Sequence, residues 1–412
     1  MRRKRLRKCC DGCLIMVKYK LLKMNNIQHK TIVNIISVES PLPAYLFIKE
    51  RYVKGDRLLF LAAPPAKENL EFLTQFLSMP AEIMEKIVFS KEEEFSYERI
   101  CRRLREELKK EEHYYVNLAG GTRYMALAIQ EAFSSLHADF YYVNLRDNTI
   151  VKTIYNDSID DDDDFVIPIC HRMRIGEYLS LHRMQNDAEA QCDYKPVRSA
   201  EYARMLFSCF ASGRMDGRDY DVLEALRLHY RNRNSDLDMR IADIESGRVG
   251  REPAVPGLVR LLRYIHFVPK VDEYLSKQEI GYLTGGWFEE FCYFKVKELL
   301  PVDEIGVGVH VTRGDTTHDN ELDVVFIRDN QLRVIECKSG ISTQKLFNEI
   351  VYKAAALKEV LLGMMCQSYI FSLKKDNDTS NLRKIAASMG ITFCGHDVLT
   401  NDSKMARRLT ID

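Results

Sequence analysis

The chain has 412 residues, 46% hydrophobic and 29% charged, and its 60 Lys+Arg balance 60 Asp+Glu for a formal net charge of zero. That length suggests about two to three domains, and the composition excludes a mostly disordered chain, a collagen-like repeat and a disulfide scaffold. Any contact with nucleic acid must come from a local basic surface, because the whole-chain field is near zero.

The 11 cysteines are odd in number and scattered, several inside apolar runs such as Phe207-Ser208-Cys209-Phe210. Such thiols suit a reducing compartment, so the cytoplasm is expected. No run of about 18 apolar residues exists, and Leu14 to Val17 is too short for a secretory segment, so neither membrane span nor export is expected. The opening Arg2, Arg3, Lys4, Arg5, Arg7 and Lys8, then Cys9, Cys10 and Cys13, reads as a basic tail over 1–29, disordered or an over-long start ahead of Met24. No second CxxC or CxxH follows to complete a metal site.

From Thr31 the pattern alternates strand and helix. Thr31 to Ser37 is nearly continuous in β-branched and apolar residues, as is Leu58 to Ala62, with a helix fitting Pro41 to Lys54 between them. Tyr114 to Leu118 supplies a later strand, and Met125, Ala128, Ile129, Ala132 and Phe133 make one apolar helix face before a strand at Phe140 to Val143. This alternation predicts a parallel, Rossmann-like α/β sheet in a domain spanning 30–165.

Asn117-Leu118-Ala119-Gly120-Gly121-Thr122-Arg123 falls where a parallel strand turns into a helix. Glycines there let backbone N–H groups approach a phosphate, with Thr122 offering a hydroxyl and Arg123 a cation. The loop is neither GxGxxG nor the P-loop pattern, so dinucleotide and NTP readings lose their signature, while a purely structural tight turn stays open. The run Asp160 to Asp164 reads as a solvated connector. Residues 166–280 read as a mostly helical connector, periodic over Glu201 to Phe210 and Asp219 to Tyr230 and broken at Pro253, Pro256 and Pro269.

The strongest chemical signal is C-terminal. Asn320-Glu321-Leu322-Asp323-Val324-Val325-Phe326-Ile327 and Gln331-Leu332-Arg333-Val334-Ile335-Glu336-Cys337-Lys338 flank an Asp329-Asn330 turn, which predicts a hairpin. Alternation puts Glu321 with Asp323 on one face and Glu336 with Lys338 on one face. If those faces coincide, three carboxylates and one ammonium converge at the ends of core-like strands. Hard cations such as Mg2+ or Mn2+ take oxygen ligands of this kind and assist phosphodiester cleavage, with Lys338 orienting water or stabilising charge. A surface hairpin with alternating polar residues is the plainer alternative. Upstream, Thr284-Gly285-Gly286-Trp287-Phe288-Glu289-Glu290-Phe291 opens a helix. Its two acids are about 100° apart, so one alone faces the strands, and Glu289, beside Phe288, is preferred. His310 and His318 read as loop or substrate-contacting residues.

At these positions the chain resembles the PD-(D/E)xK nuclease superfamily, with Glu289 or Glu290, Asp323, Glu336 and Lys338 in the order and spacing of its core. Leu322 stands where that family usually has Pro, and Glu321 is an extra acid. The resemblance implies a restriction-endonuclease-like α/β domain over 281–412, with Glu289, Asp323 and Glu336 as Mn2+ or Mg2+ ligands. The exit of the first strand, Ser37-Val38-Glu39-Ser40-Pro41, together with the Gly-Gly-Thr-Arg loop, is similar to the ligand site of CARF domains, the Rossmann-like sensors of cyclic oligoadenylates in type III CRISPR immunity. Ala119 stands where a Thr is frequent in that family. The domain order is similar to the CRISPR ancillary nucleases of the Can2 and Card1 group. This resemblance implies that Ser37, Glu39, Ser40, Pro41, Asn117, Gly120, Gly121, Thr122 and Arg123 bind the activator. It also implies a homodimer binding one cyclic tetra-adenylate, and DNA, RNA or both as substrate. The competing readings are a non-catalytic CARF regulator, which needs a DNA-reading module such as a winged helix, and a sugar-nucleotide or NAD enzyme, which needs the glycine fingerprint.

Overall fold

The structure is a computed structural model that describes residues 29–153, 166–192, 194–215, 217–231, 238–248, 254–313, 320–339, 344–357, 366–373 and 380–410. The tail with Cys9, Cys10 and Cys13, the acidic run Asp160 to Asp164, and His318 lie outside the described residues. The chain divides into two compact units, 1–173 and 174–412.

In the N-terminal unit, β1 (Thr31–Ile36) is buried at every position, as a strand apolar on both faces must be, and it takes the middle of the sheet. It is followed by α1 (Leu42–Arg51), β2 (Arg57–Ala62), α2 (Lys67–Leu77), β3 (Met84–Val88), α3 (Tyr97–Glu107), β4 (Tyr114–Asn117), α4 (Arg123–Ser134), β5 (Ala138–Asn144), β6 (Thr149–Thr153) and β7 (Val166–Pro168). The sheet order is β3-β2-β1-β4-β5-β6-β7. Pairing is parallel through β5 and antiparallel at β6 and β7. Strand β3 escapes a reading based on apolar runs because it lies at the sheet edge, where Glu85 and Lys86 are exposed. One face of the sheet packs Val33, Ile35 and Val116 against Ile100 and Leu104 of α3 and against Met125, Ala128, Ile129, Ala132 and Phe133 of α4. Strand order reverses between β1 and β4, so the loops after those two strands lie side by side.

The C-terminal unit begins with α5 (Ile175–Leu181), β8 (Met184–Asn186), α6 (Ala200–Ala211) and α7 (Gly217–Arg231). A helix at Lys277–Gly281 runs through a wide turn, Tyr282–Gly286, into α8 (Trp287–Leu299). Strands β9 (Glu304–Arg313), β10 (Asn320–Arg328), β11 (Gln331–Lys338), β12 (Gln367–Ser372) and β13 (Ile391–Cys394) complete a sheet of order β13-β12-β11-β10-β9-β8. The β11–β12 and β12–β13 pairs are parallel, the others antiparallel. Asp329 and Asn330 both take positive φ, 54° and 59°, the two-residue turn that matches the twist of a hairpin and favours Asp and Asn.

The segment read as a mostly helical connector over 166–280 does carry helices, among them α6 and α7. Residues 166–173 fall in the N-terminal unit and the rest in the C-terminal one, where β8 adds an edge strand to the sheet. The helices share its core: Phe207 stacks on Phe291 at 3.9 Å and Phe210 on Trp287 at 4.4 Å. The same core continues into Val324, Phe326, Ile335 and Cys337. Helical periodicity reports an apolar stripe but not what covers it, and here the cover is the C-terminal sheet and its helix. Among the described residues, no helix is long and apolar enough to cross a membrane.

Candidate active site and ligand loops

The hairpin runs in register from Arg328 opposite Gln331 to Val324 opposite Ile335. One step further, that register sets Asp323 opposite Glu336 and Leu322 opposite Cys337. There the regular ladder stops. The Cys337 N–H, which an unbroken ladder would direct to a partner-strand carbonyl, instead donates to Asp323 Oδ2 at 2.7 Å. The aspartate side chain replaces a backbone acceptor, and the strands part around it. Lys338 Nζ closes the arrangement, 3.2 Å from Asp323 Oδ2 and 2.7 Å from Glu336 Oε1. Both bonds to Asp323 fall on Oδ2, which leaves Oδ1 for another partner.

Opposite Asp323 on the other side, β9 carries Gly308 between the pairs Val307–Val324 and Val309–Leu322. It has φ +65°, and a Cβ there would sit 3.3 Å from Glu321 Oε1, so the strand bends where side chains would crowd the carboxylates. His310 pairs with Glu321 across the same two strands. Its backbone N–H donates to Asp187 Oδ1 at 2.8 Å.

Helix α8 packs Phe288, Phe291 and Cys292 into the core that holds Val324, Phe326, Ile335 and Cys337. Its two acids diverge. Glu289 lies in the field of Asp323, Glu321, Lys338 and Glu336. Glu290 has no exposed surface and turns away, accepting from Tyr194 Oη at 2.9 Å, Val197 N at 2.6 Å and Arg198 N at 3.1 Å. The structure thus brings Glu289, Asp323, Glu336 and Lys338 together, with exposed Glu321 at the margin, and it removes Glu290 from the cluster.

Charge in the cluster is unbalanced. Burial, then Asp323 and Glu321, pushes the Glu289 carboxyl up to about 8, while burial and the Glu336 carboxylate push Asp323 up to about 6 against Lys338 and the Cys337 N–H. Burial alone would lower Lys338, but Asp323 and Glu336 outweigh it and hold the ammonium above the ordinary lysine range. Three carboxylates therefore share one cation. The donors are all hard oxygens, as Mg2+ or Mn2+ prefers. As the side chains stand, no three His, Cys, Asp or Glu among the described residues converge closely enough to hold an ion, and the ammonium of Lys338 lies between the two strand carboxylates.

In the N-terminal unit, the exits of β1 and β4 form the second candidate site, at the switch point where open α/β sheets bind ligands. Asn69 of α2, which sequence reading missed, donates from Nδ2 to the carbonyls of Ser37 (2.9 Å) and Val38 (2.8 Å). The Ser37 hydroxyl accepts from the Glu39 N–H and that of Ser40 from the Leu42 N–H. Ser40 and Pro41 are buried, whereas Val38 and Glu39 are exposed. On the facing loop, Gly121, Thr122 and Arg123 are exposed. A Cβ on Gly120 would sit 1.9 Å from the Ile35 carbonyl oxygen, and Gly121, at φ +58°, would press one within 2.7 Å of Ile35 Cγ2. The glycines are thus required first by the loop's packing on β1. Thr122 caps α4 by accepting from Met125 N at 3.1 Å.

Asn117, read from the sequence as a ligand-site residue, lies beneath the loop with its side chain engaged. It has no exposed surface; its Nδ2 donates to Asn34 Oδ1 at 3.1 Å and its Oδ1 accepts from Ala119 N at 3.0 Å. It shapes the loop from below. The spacing of the motif conveys position along the chain but not burial.

Two family models match the chain: one described as the Card1 CARF domain over residues 31–178, the other as the Card1-like endonuclease domain over 276–408. Among solved structures, the chain is similar to Can2 from Sulfobacillus thermosulfidooxidans in complex with cyclic tetra-adenylate, at 21% identity and TM-score 0.65, covering 92% of this chain and 98% of that one. It is also similar to protein VC1899 from Vibrio cholerae, at 18% identity and TM-score 0.65, covering 92% and 97%. At such identities the likeness is one of fold. No curated protein sequence matches the chain.

Proposed function

The chain belongs to the CARF-domain endonucleases of the Card1 type, and from that premise we propose that it is a metal-dependent nuclease of type III CRISPR defence, switched on by a cyclic oligoadenylate. The observation that carries the nuclease chemistry is the Lys338 ammonium bridging Asp323 and Glu336 where β10 and β11 part, with Glu289 facing the same cluster. Asp323, Glu336 and Glu289 are the residues that would hold Mg2+ or Mn2+. Such an ion, when bound, activates water and stabilises charge on a phosphodiester. The Cys337 N–H fixes Asp323 through one oxygen. Lys338, carried by the same strand as Glu336, keeps a positive charge beside the reacting phosphate in a buried setting, where it acts strongly. The substrate class is DNA, RNA or both.

The activator is cyclic tetra-adenylate, bound by the loops Ser37 to Pro41 and Gly120 to Arg123. Arg123 is exposed and supplies the cation that pairs with phosphate. The exposed residues Gly121 and Thr122 stand at the start of α4, where a helix N-terminus favours an anion. A two-fold-symmetric ring is matched economically by an isologous homodimer, which presents each loop twice. The eight described cysteines are all free thiols, which accords with work in the reducing cytoplasm.

The test is to incubate the purified chain with plasmid DNA or RNA, Mn2+ and each cyclic oligoadenylate in turn. Cutting is expected to require the cation, to rise most with the four-membered ring, and to vanish in Asp323→Ala and Glu336→Ala while activator binding persists. Equal cutting by wild type and Asp323→Ala would refute the site, and cutting indifferent to every ring would refute the sensor.

A further inference from the structure

Glu290, excluded from the carboxylate cluster, is still a fully buried charged group. Three hydrogen bonds to it come from Tyr194 to Arg198, a stretch without regular structure that leads into α6, and the Tyr282 hydroxyl of the turn before α8 also faces it. Arg198 extends the attachment: its Nη2 donates to the Val268 carbonyl at 2.8 Å and to Glu279 Oε1 at 3.2 Å, and its guanidinium lies 4.3 Å from the centre of the Phe267 ring. Glu279, 1% exposed, also accepts from Lys270 N, Ser276 N and Ser276 Oγ. Two buried carboxylates thus hold one strap. Burying a carboxylate is costly, and an apolar contact generally stabilises at least as well, so what this arrangement adds is a fixed orientation.

That orientation matters because of the neighbour. Glu289 and Glu290 share the first turn of α8, and one cannot rotate about the helix axis without the other. The turn before it is wide and ends in Gly285-Gly286, so the backbone there resists rotation weakly. We propose that Glu290 is a positioning residue: by gripping the strap Tyr194–Arg198 it sets the rotation of the first turn of α8, and so the place of Glu289 beside Asp323. The strap lies within the C-terminal unit, after α5 and β8, so whatever displaces it there reaches Glu289 through Glu290. This inference rests on the nuclease reading of the cluster.

The full-length protein offers a test with its own reporter, because the only tryptophan in the sequence, Trp287, lies in that first turn, stacked on Phe210. Glu290→Ala, Glu290→Gln and Tyr194→Phe are compared for kcat and KM of cleavage with Mn2+ and cyclic tetra-adenylate, for Trp287 emission and for Tm. Glu290→Ala is expected to lower kcat roughly tenfold or more with KM within about twofold, as misplacement of a catalytic group does. Glu290→Gln, which keeps an acceptor oxygen, recovers part of that loss. Tyr194→Phe, which removes one donor and keeps the ring that packs on Tyr293, lowers kcat several-fold and shifts Trp287 emission. Activator binding shifts the same emission in wild type, and less in the variants. Unchanged kcat and emission in Tyr194→Phe and Glu290→Gln would overturn the proposal, as would a loss in Tm with no loss of kcat. If wild type lacks Asp323-dependent cutting, the nuclease reading fails; the emission of Trp287 then decides separately whether the strap moves the turn.

Discussion

Replacing Asp323 by Asn should destroy cutting and yet stabilise the cation-free protein. The carboxyl is raised from its ordinary 3.8 to about 6 by burial and by Glu336, net of its bonds to Lys338 and Cys337. A shift of that size means the ionised form is worth about 3 kcal/mol less to the folded state than to the unfolded one. Asn keeps an oxygen for the Cys337 N–H and brings no charge to bury. Imperfect geometry reduces the benefit, so we expect a gain of roughly 1–3 kcal/mol, or roughly 3–9 °C for a unit of this size. The sign follows from the direction of the shift: a group with a raised folded pKa favours folding only while protonated. The penalty is therefore absent below 3.8, grows as pH rises toward about 6, and is constant beyond. Thermal unfolding in EDTA should show a larger gap between variant and wild type at pH 8 than at pH 5. Adding Mn2+ should raise the wild-type Tm and leave the variant nearly unmoved. An Asp323→Asn protein no more stable than wild type at pH 8 without cation would refute the charge imbalance inferred for the cluster.

Lys338→Ala should lower the cleavage rate on the order of a hundredfold while Mn2+ affinity, read by calorimetry, changes much less; a parallel loss of both would make the lysine a scaffold for the carboxylates. Arg123→Ala should abolish binding of cyclic tetra-adenylate and its stimulation, yet keep whatever unstimulated cutting wild type shows with Mn2+, and unaltered activator affinity would refute its contact with phosphate. This substitution is a cleaner test than one at Gly120 or Gly121, where an added side chain collides with Ile35 whether or not ligand is present. Asn69→Ala frees the Ser37 and Val38 carbonyls and should weaken activator binding several-fold without changing the unstimulated rate. Glu289 and Asp323, raised to about 8 and about 6, must lose protons to hold a cation, so Mn2+ affinity should climb between pH 6 and 8, with proton release measurable in buffers of different ionisation enthalpy.

The central strands were legible because their burial leaves a direct trace: β1 and β2 are nearly continuous in apolar residues, and β10 and β11 flank a two-residue turn whose residues favour positive φ. Edges leave no such trace. Strand β3 exposes Glu85 and Lys86, and β8 is three residues long inside a helical stretch. The helices over 200–231 were found where expected, but an apolar stripe does not name its partner, and Phe207 and Phe210 meet α8 through contacts more than seventy residues away in the chain.

The same division runs through the sites. Alternation along a hairpin sets Glu336 with Lys338 and Glu321 with Asp323, and counting across the turn brings Asp323 opposite Glu336; each step is local. What makes the cluster compact is not local. The Asp323 carboxylate takes a ladder donor from Cys337, which no periodicity announces, and so parts the strands where Glu289 joins the field. Glu289 and Glu290 are equivalent to any reading of α8 alone. They are separated by Tyr194, Val197 and Arg198, nearly a hundred residues upstream, whose donors take Glu290 and leave Glu289 to the carboxylates. At the other site the reasoning is parallel: Asn117 and Arg123 belong to one motif, but pairing with Asn34 across β1 and β4 buries the first while the second stays exposed at the start of α4. Function in this chain is assigned to residues by the partners that occupy their neighbours, and so a variant that releases one of those partners, such as Tyr194→Phe, tests the assignment as directly as one that removes the acid itself.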